Sequence, residues 1–283
     1  MALARTFVVA AGMAATLLAQ PKLSIDRLVL QQIEDGPALV ANYEFVPGES
    51  AHVSCRVAGF RTSTKDESQL VKLAWTMHVV DPDGVPIQTD KSGRIEETLT
   101  ARDKNWAPKF LVALTVPSFA PSGQYHVRVT VTDEIAAAEV SGELEFNARG
   151  HPVEPSPTLA VRNFKFVRAE DDQVPMTPAI YHPGETLWAK FDINGYKFGE
   201  NHRFSVDYGL AILNAAGEQI FAQPAAASEA RESFYPQRYV PGALSLNLDA
   251  NVVKSAYTLV IIVHDKIGNQ SEESKQAFEV RQP

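Results

Sequence analysis

Seven histidines, one cysteine and 34 carboxylates are the groups of this 283-residue chain that acid–base, nucleophilic or metal chemistry would draw on. Their spacing builds no familiar device. There is no Gly-x-Ser-x-Gly elbow to expose a serine, no His-Glu-x-x-His pair for zinc, no glycine loop to cradle phosphate and no Cys-x-x-Cys. The histidines are scattered singly, with no spacing that sets two on one strand face. No catalytic residue, cofactor or metal is therefore expected. The enzymatic alternative is a hydrolase with a polar cleft between domains, holding a His paired with Asp or Glu. Only folding would assemble such a set.

Carboxylates at Asp81, Asp83, Asp171 and Asp172 fall in loops, where oxygen-rich calcium sites occur. Asp81–Pro82–Asp83–Gly84 aligns, however, with Asn214–Ala215–Ala216–Gly217, which keeps the turn and loses the carboxylates. A hairpin turn accounts for both stretches and a metal for one, so a turn is expected. Asp133 and Asp265 recur in the same way, as turn caps. Cys55 alternates with Val53 and Val57, which predicts a buried, inert thiol. Trp106, Trp188, Tyr235 and Tyr239 are the candidate ligand aromatics, since an exposed ring on a loop can stack on a sugar. The reading favoured over that is that Trp106 and Tyr239 simply plug the edge of a β-sandwich.

The elements that must position these groups come in two copies. Tyr43–Glu44–Phe45–Val46–Pro47–Gly48–Glu49 returns as Ile180–Tyr181–His182–Pro183–Gly184–Glu185, an offset of 136 at the Pro-Gly pair. Tyr125–His126–Val127–Arg128–Val129 returns as Tyr257–Thr258–Leu259–Val260–Ile261, an offset of 132. The offset changes within polar stretches such as Arg61–Glu67, where loops vary in length. Val127, Val129 and Val131 alternate with His126, Arg128 and Thr130, and Leu73, Trp75, Met77 and Val79 alternate likewise. A period of two with Pro, Gly and Asp punctuation predicts short strands, and no helical period persists. The fold class expected is all-β: two tandem antiparallel β-sandwiches, 20–148 and 159–283, joined by a Pro-rich linker, 149–158.

Residues 1–19 carry one charge, Arg5, then an apolar run from Phe7 to Leu18 ending in Ala19. That order predicts a secretory signal peptide, with an uncleaved anchor as the alternative, and a periplasmic or extracellular location. Beyond it, 25 basic side chains face 34 acidic ones, a formal charge of −9. An acidic chain with no Lys/Arg stripe is not expected to bind nucleic acid, and no later segment is apolar enough to span a membrane. A lone cysteine makes no bridge within the chain, so each unit of roughly 120 residues must rest on its core.

Each unit resembles a bacterial immunoglobulin-like or fibronectin-III-like domain. Gly123–Gln124–Tyr125–His126–Val127 and Ser255–Ala256–Tyr257–Thr258–Leu259 carry the resemblance. It implies that Tyr125 and Tyr257 cap the corner leading into strand F. Trp75 stands at the core tryptophan position of strand C, and Tyr208 replaces it in the second copy. Cys55 holds the strand-B cysteine position, but Val127 holds its partner position, so the disulfide of antibody domains is absent. Such domains serve adhesion, ligand binding, scaffolding and spacing, and the fold selects none of these.

Outward positions separate the copies. On strand F, Arg128 and Thr130 become Val260 and Ile262; on strand C, Thr76, His78 and Val80 become Gly209, Ala211 and Leu213. The expected apolar face on the second unit marks Val260, Ile262, Gly209, Ala211 and Leu213 as interface candidates. The expectation is an exported, non-catalytic binding or scaffold protein that meets a protein partner or itself through this face. A carbohydrate-binding module using the loop aromatics is the alternative.

Overall fold

The computed structural model describes residues 22–65, 67–104 and 106–281, with the side chain of Lys65 excepted; the leader expected at 1–19 lies outside the described residues. The first unit contains β1 (Ser24–Gln31), β2 (Glu44–Phe45), β3 (Ser50–Ala58), β4 (Ser63–Lys65), β5 (Ser68–Val80), β6 (Lys91–Leu99), β7 (Lys109–Thr115), β8 (Gly123–Asp133) and β9 (Ala138–Ala148). The second contains β10 (Ala160–Val167), β11 (Ile180–Tyr181), β12 (Thr186–Asn194), β13 (Phe204–Leu213), β14 (Gln219–Arg231), β15 (Tyr239–Asn247), β16 (Ser255–Asp265) and β17 (Gln270–Val280). Each forms a sandwich. Sheet β1-β3-β7 faces β2-β9-β8-β5-β4, with β6 also paired to β5, and sheet β10-β12-β15 faces β11-β17-β16-β13-β14. Pairing is antiparallel apart from the short β2–β9 and β11–β17 ladders. This is an immunoglobulin-like arrangement, written twice.

Alternation sets which side chains enter each core. Along β8, Tyr125, Val127, Val129 and Val131 are fully buried while His126 and Arg128 are exposed. Apolar side chains gather into one cluster per sandwich, and Trp75 stacks on Phe110 across the first at 4.6 Å between ring centroids. Phe191 meets Tyr208 edge-on across the second at 5.6 Å. Cys55 is enclosed, and burial pushes its thiol up to about 12. At the corners, Tyr125 Oη donates to the Pro121 carbonyl at 2.9 Å and Tyr257 Oη to that of Val253 at 2.6 Å. Each bond closes a loop onto the strand that follows it.

The face expected to stand bare on the second sandwich is covered by the chain itself. Gly209 pairs with Ile262 and Ala211 with Val260, so the apolar substitutions do lie side by side. However, β14 bulges outward between its pairings Ala227–Tyr208 and Gln223–Leu210. A Cβ added to Gly209 would fall 2.0 Å from the Gln223 carbonyl oxygen and 2.4 Å from the Pro224 carbonyl carbon. The bulge therefore sits directly on this face. Gly209, Ala211 and Val260 are buried, and Ile262 and Leu213 half-buried. The corresponding face of the first sandwich is wet and polar: Arg128 pairs with Glu143 at 2.5 Å and Thr130 with Ser141 at 2.9 Å. The apolar set thus packs within the chain instead of offering a contact surface.

Candidate functional site: the cleft between the sandwiches

Asp81 follows strand β5 directly, and its Oδ1 accepts from the backbone N–H groups of Asp83 (2.9 Å) and Val85 (2.8 Å). Asn214 makes the same turn at the end of β13, its Oδ1 accepting from Ala216 and Glu218 at 2.9 Å each. The second oxygen separates the two turns. Oδ2 of Asp81 accepts from Tyr235 Oη at 2.7 Å and pairs with the Arg238 guanidinium at 2.5 Å, both from the loop between β14 and β15. Asp83 also pairs with Arg238. The Asp81 side chain has no exposure to water, and a buried carboxylate is tolerable only with such charge-assisted partners. Burial first, then the hydrogen bond to Asp81, pushes the Tyr235 phenol well above its ordinary value, which keeps it a donor.

Further contacts close the seam. Tyr239 packs edge-on against Phe119 at 5.4 Å, and the Arg231 guanidinium lies over the Phe119 ring at 5.7 Å. The linker is tied down along its length. Asn194 Nδ2 donates to the Glu154 carbonyl at 2.6 Å and Asn163 Nδ2 to that of Pro152 at 2.8 Å. His151 Nε2 bonds Asp192 Oδ2 at 2.7 Å, and Asn163 reaches the same oxygen at 2.7 Å. Asn163 has a left-handed backbone (φ +49°), a conformation that asparagine tolerates better than most residues. Gly150 has no room for a side chain, since a Cβ would lie 2.0 Å from the Ala120 carbonyl oxygen.

Two concavities flank the His151–Tyr239 pair, whose rings lie 5.0 Å apart. One, of about 430 Å³, is lined by Asn163, Lys165, Gln173, Lys190 and Asp192 among others. The second, of about 330 Å³, presents Phe119, Tyr196, Phe198 and Arg238. A His–Asp pair between domains is the arrangement an inter-domain hydrolase would require, and only folding revealed it. Its bonding is structural in form. Asp192 Oδ2 is shared with the Asn163 amide; no serine, threonine or cysteine lines the cavity of about 430 Å³, and Ser156, which lines the second, donates its hydroxyl to the Thr158 carbonyl at 2.7 Å. Lys190 Nζ donates to the Asp172 carbonyl at 3.0 Å and Lys165 Nζ to that of Gln173 at 3.0 Å, so both ammoniums hold the 171–173 loop.

The four candidate aromatics do not share a surface. Trp106 is half-buried against the first core, edge-on to Phe60 at 6.0 Å. Tyr235 is buried and packs with the first core although it belongs to the second unit. Tyr239 sits in the seam. Trp188 lies half-buried on β12, between Val167 and Ser245 of the neighbouring strands. The loop carboxylates also serve turns: Asp172 Oδ1 accepts from Val174 N at 2.9 Å, and Asp133 Oδ1 from Ile135 (2.9 Å) and Ala136 (3.0 Å). Among the described residues, no three His, Cys, Asp or Glu side chains gather as a metal site would require. Sequence reasoning missed Asp81, Tyr235 and Arg238 as one group. The available signal was the Asp-to-Asn difference between two otherwise equivalent turns.

No protein-family model matches the sequence, and no curated protein sequence matches it. Among solved structures, it is similar to a family 123 glycoside hydrolase from Clostridium perfringens, studied for glycolipid glycan hydrolysis. The two share 13% identity over 44% of this chain, which spans 28% of that protein's length, with a TM-score of 0.29. A likeness that low carries no argument about fold or function.

Proposed function

We propose that this chain is an exported, non-catalytic binding or scaffold protein whose two β-sandwiches act as one rigid unit. The observation that carries this reading is the shared, fully buried Asp81 carboxylate, held by Tyr235 and Arg238 from the other sandwich. Such a contact fixes the angle between the sandwiches, so surfaces on both are presented to a partner in a constant geometry. The polar groups of the cleft serve the same end, since His151, Asp192, Asn163 and Asn194 hold the linker in place. Periplasmic or extracellular location belongs to this proposal and rests on the residue 1–19 pattern.

The hydrolase reading draws on one observation, the His151–Asp192 pair beside a cavity of about 430 Å³. Assay of the chain and of His151→Ala against chromogenic glycosides and esters separates the two. Turnover by the chain that His151→Ala abolishes would overturn the non-catalytic reading. Absent turnover, together with discrete adducts from photo-crosslinkers placed on the surface in intact envelopes, is the result expected. The carbohydrate reading is disfavoured by the dispersal of Trp106, Trp188, Tyr235 and Tyr239 over separate surroundings.

A further inference from the structure

Lys165 on β10 and Lys190 on β12 stand directly opposite each other in their antiparallel ladder. Lys190 and Asp192 alternate with the core residues Ala189, Phe191 and Ile193, so this face of the sheet points away from the core. Like charges facing each other across two strands repel. Neither ammonium is ion-paired among the described residues, where the lysines in ion pairs are Lys72, Lys109 and Lys266. Lys190 donates instead to the Asp172 carbonyl, and Lys165 to the backbone and side-chain oxygens of Gln173, all neutral groups. An ammonium has three N–H donors, so two remain on Lys190 and one on Lys165. Both side chains line the cavity of about 430 Å³ beside the linker. Asp192 brings the opposite chemistry to the same cavity. Its side chain is only 7% exposed; Oδ2 is taken up by His151 and Asn163, whereas Oδ1 accepts from no described residue. A carboxylate this enclosed needs a donor for its free oxygen, and the cavity it lines is where one can enter.

We infer that this cavity binds a small polyhydroxylated carboxylate, the chemistry of a uronic acid, either free or at the end of an acidic polysaccharide. The inference rests on the binding reading and deepens it by naming a ligand class. The ligand carboxylate lies between Lys165 and Lys190, accepts their remaining N–H bonds and offsets their repulsion. A ligand hydroxyl donates to Asp192 Oδ1. A hydroxyl suits that position better than an ammonium, which would bring a third positive charge beside Lys190, two residues along the same face of β12. Two unpaired lysines facing one space are a marked local excess in a chain of formal charge −8. The volume falls within the usual span of small-ligand sites, roughly 300–1,000 Å³. Charge and hydrogen bonds hold this ligand, with Tyr239 as one bordering ring. The site therefore does not need the exposed aromatic platform that Trp106, Trp188, Tyr235 and Tyr239 fail to form.

The test is calorimetric titration of the chain with D-glucuronate, D-galacturonate and an oligogalacturonate, beside D-glucose, which lacks the carboxylate. The expected result is saturable binding of at least one acid, weakened by added salt, and none of glucose. Lys165→Gln and Lys190→Gln should each weaken that binding by roughly tenfold or more. Both lysines also hold the 171–173 loop, so a third variant leaves them in place. Ala243, exposed on β15, lies opposite Lys190 and lines the cavity. Ala243→Glu sets a carboxylate where the ligand's would lie and should block binding with an unchanged unfolding midpoint. Tighter binding of the oligomer than of either monomer assigns the ligand to a polysaccharide end; equal binding assigns it to the free acid. Absence of binding by all three acids overturns the inference. So does binding of glucose equal to that of glucuronate, or binding indifferent to all three variants. Surface cross-linking and turnover through His151 are separate readouts, so the failure of this site can be told from the failure of the binding reading.

Discussion

Asp81 and Tyr235 lie 154 positions apart and meet at 2.7 Å, a phenol donating to a carboxylate that has no contact with water. The turn that holds Asp81 uses only one of its oxygens, which leaves the other for the second sandwich. One residue thereby shapes a loop in its own domain and docks the next domain.

Replacing Asp81 with Asn isolates the docking role, because Asn214 already makes the same turn in the second copy. The amide would keep Oδ1 for Asp83 and Val85 but set N–H groups against the Arg238 donors. The expected cost is about 1–3 kcal/mol in chemical denaturation. Protease should also cut the 149–158 linker faster. An unchanged midpoint and cleavage rate would show that this bond does not hold the seam.

Gly209→Ala tests the covering of the apolar face. Its Cβ would collide with the Gln223 carbonyl and Pro224, so the bulge must lift or the strands must shift. A loss of about 1–3 kcal/mol is expected, with increased binding of a dye specific for exposed apolar surface. Wild-type stability and dye binding would mean that the bulge yields freely.

Tyr125→Phe removes the bond to Pro121 and should cost about 0.5–1.5 kcal/mol. Tyr257→Phe does the same in the second sandwich, at the Val253 carbonyl. If neither moves the unfolding midpoint, the corners are held by packing alone.

Cys55 should react with iodoacetamide only as fast as the chain unfolds. Burial raises its thiol from 9.0 to about 12, which favours the neutral form in the native state. The stability linked to this shift is complete below about pH 9 and is lost as pH rises towards 12, because the unfolded thiol ionises first. Cys55→Ala should flatten that part of the stability profile; an identical profile would assign the alkaline loss to other groups.

The sequence by itself determined what local periodicity and repetition encode. Alternation in Val127–Val131 and its return in Leu259–Val263 specify strands and their inward faces, because a period of two leaves one side for the core. The paired Tyr125 and Tyr257, the turn aspartates and the buried Cys55 were legible for the same reason: each depends on neighbours a few residues away, or on which face of its own strand it occupies. Only the tertiary structure decided what covers what. Val260, Ala211 and Gly209 read as a bare apolar face because nothing local reports that β14 bulges across them. Tyr235 read as a loop aromatic because its partner, Asp81, lies in the other sandwich. The His151–Asp192 pair was equally hidden, its members 41 positions apart on linker and strand. Burial and long-range hydrogen bonds depend on how separate elements pack, and no spacing along the chain records that.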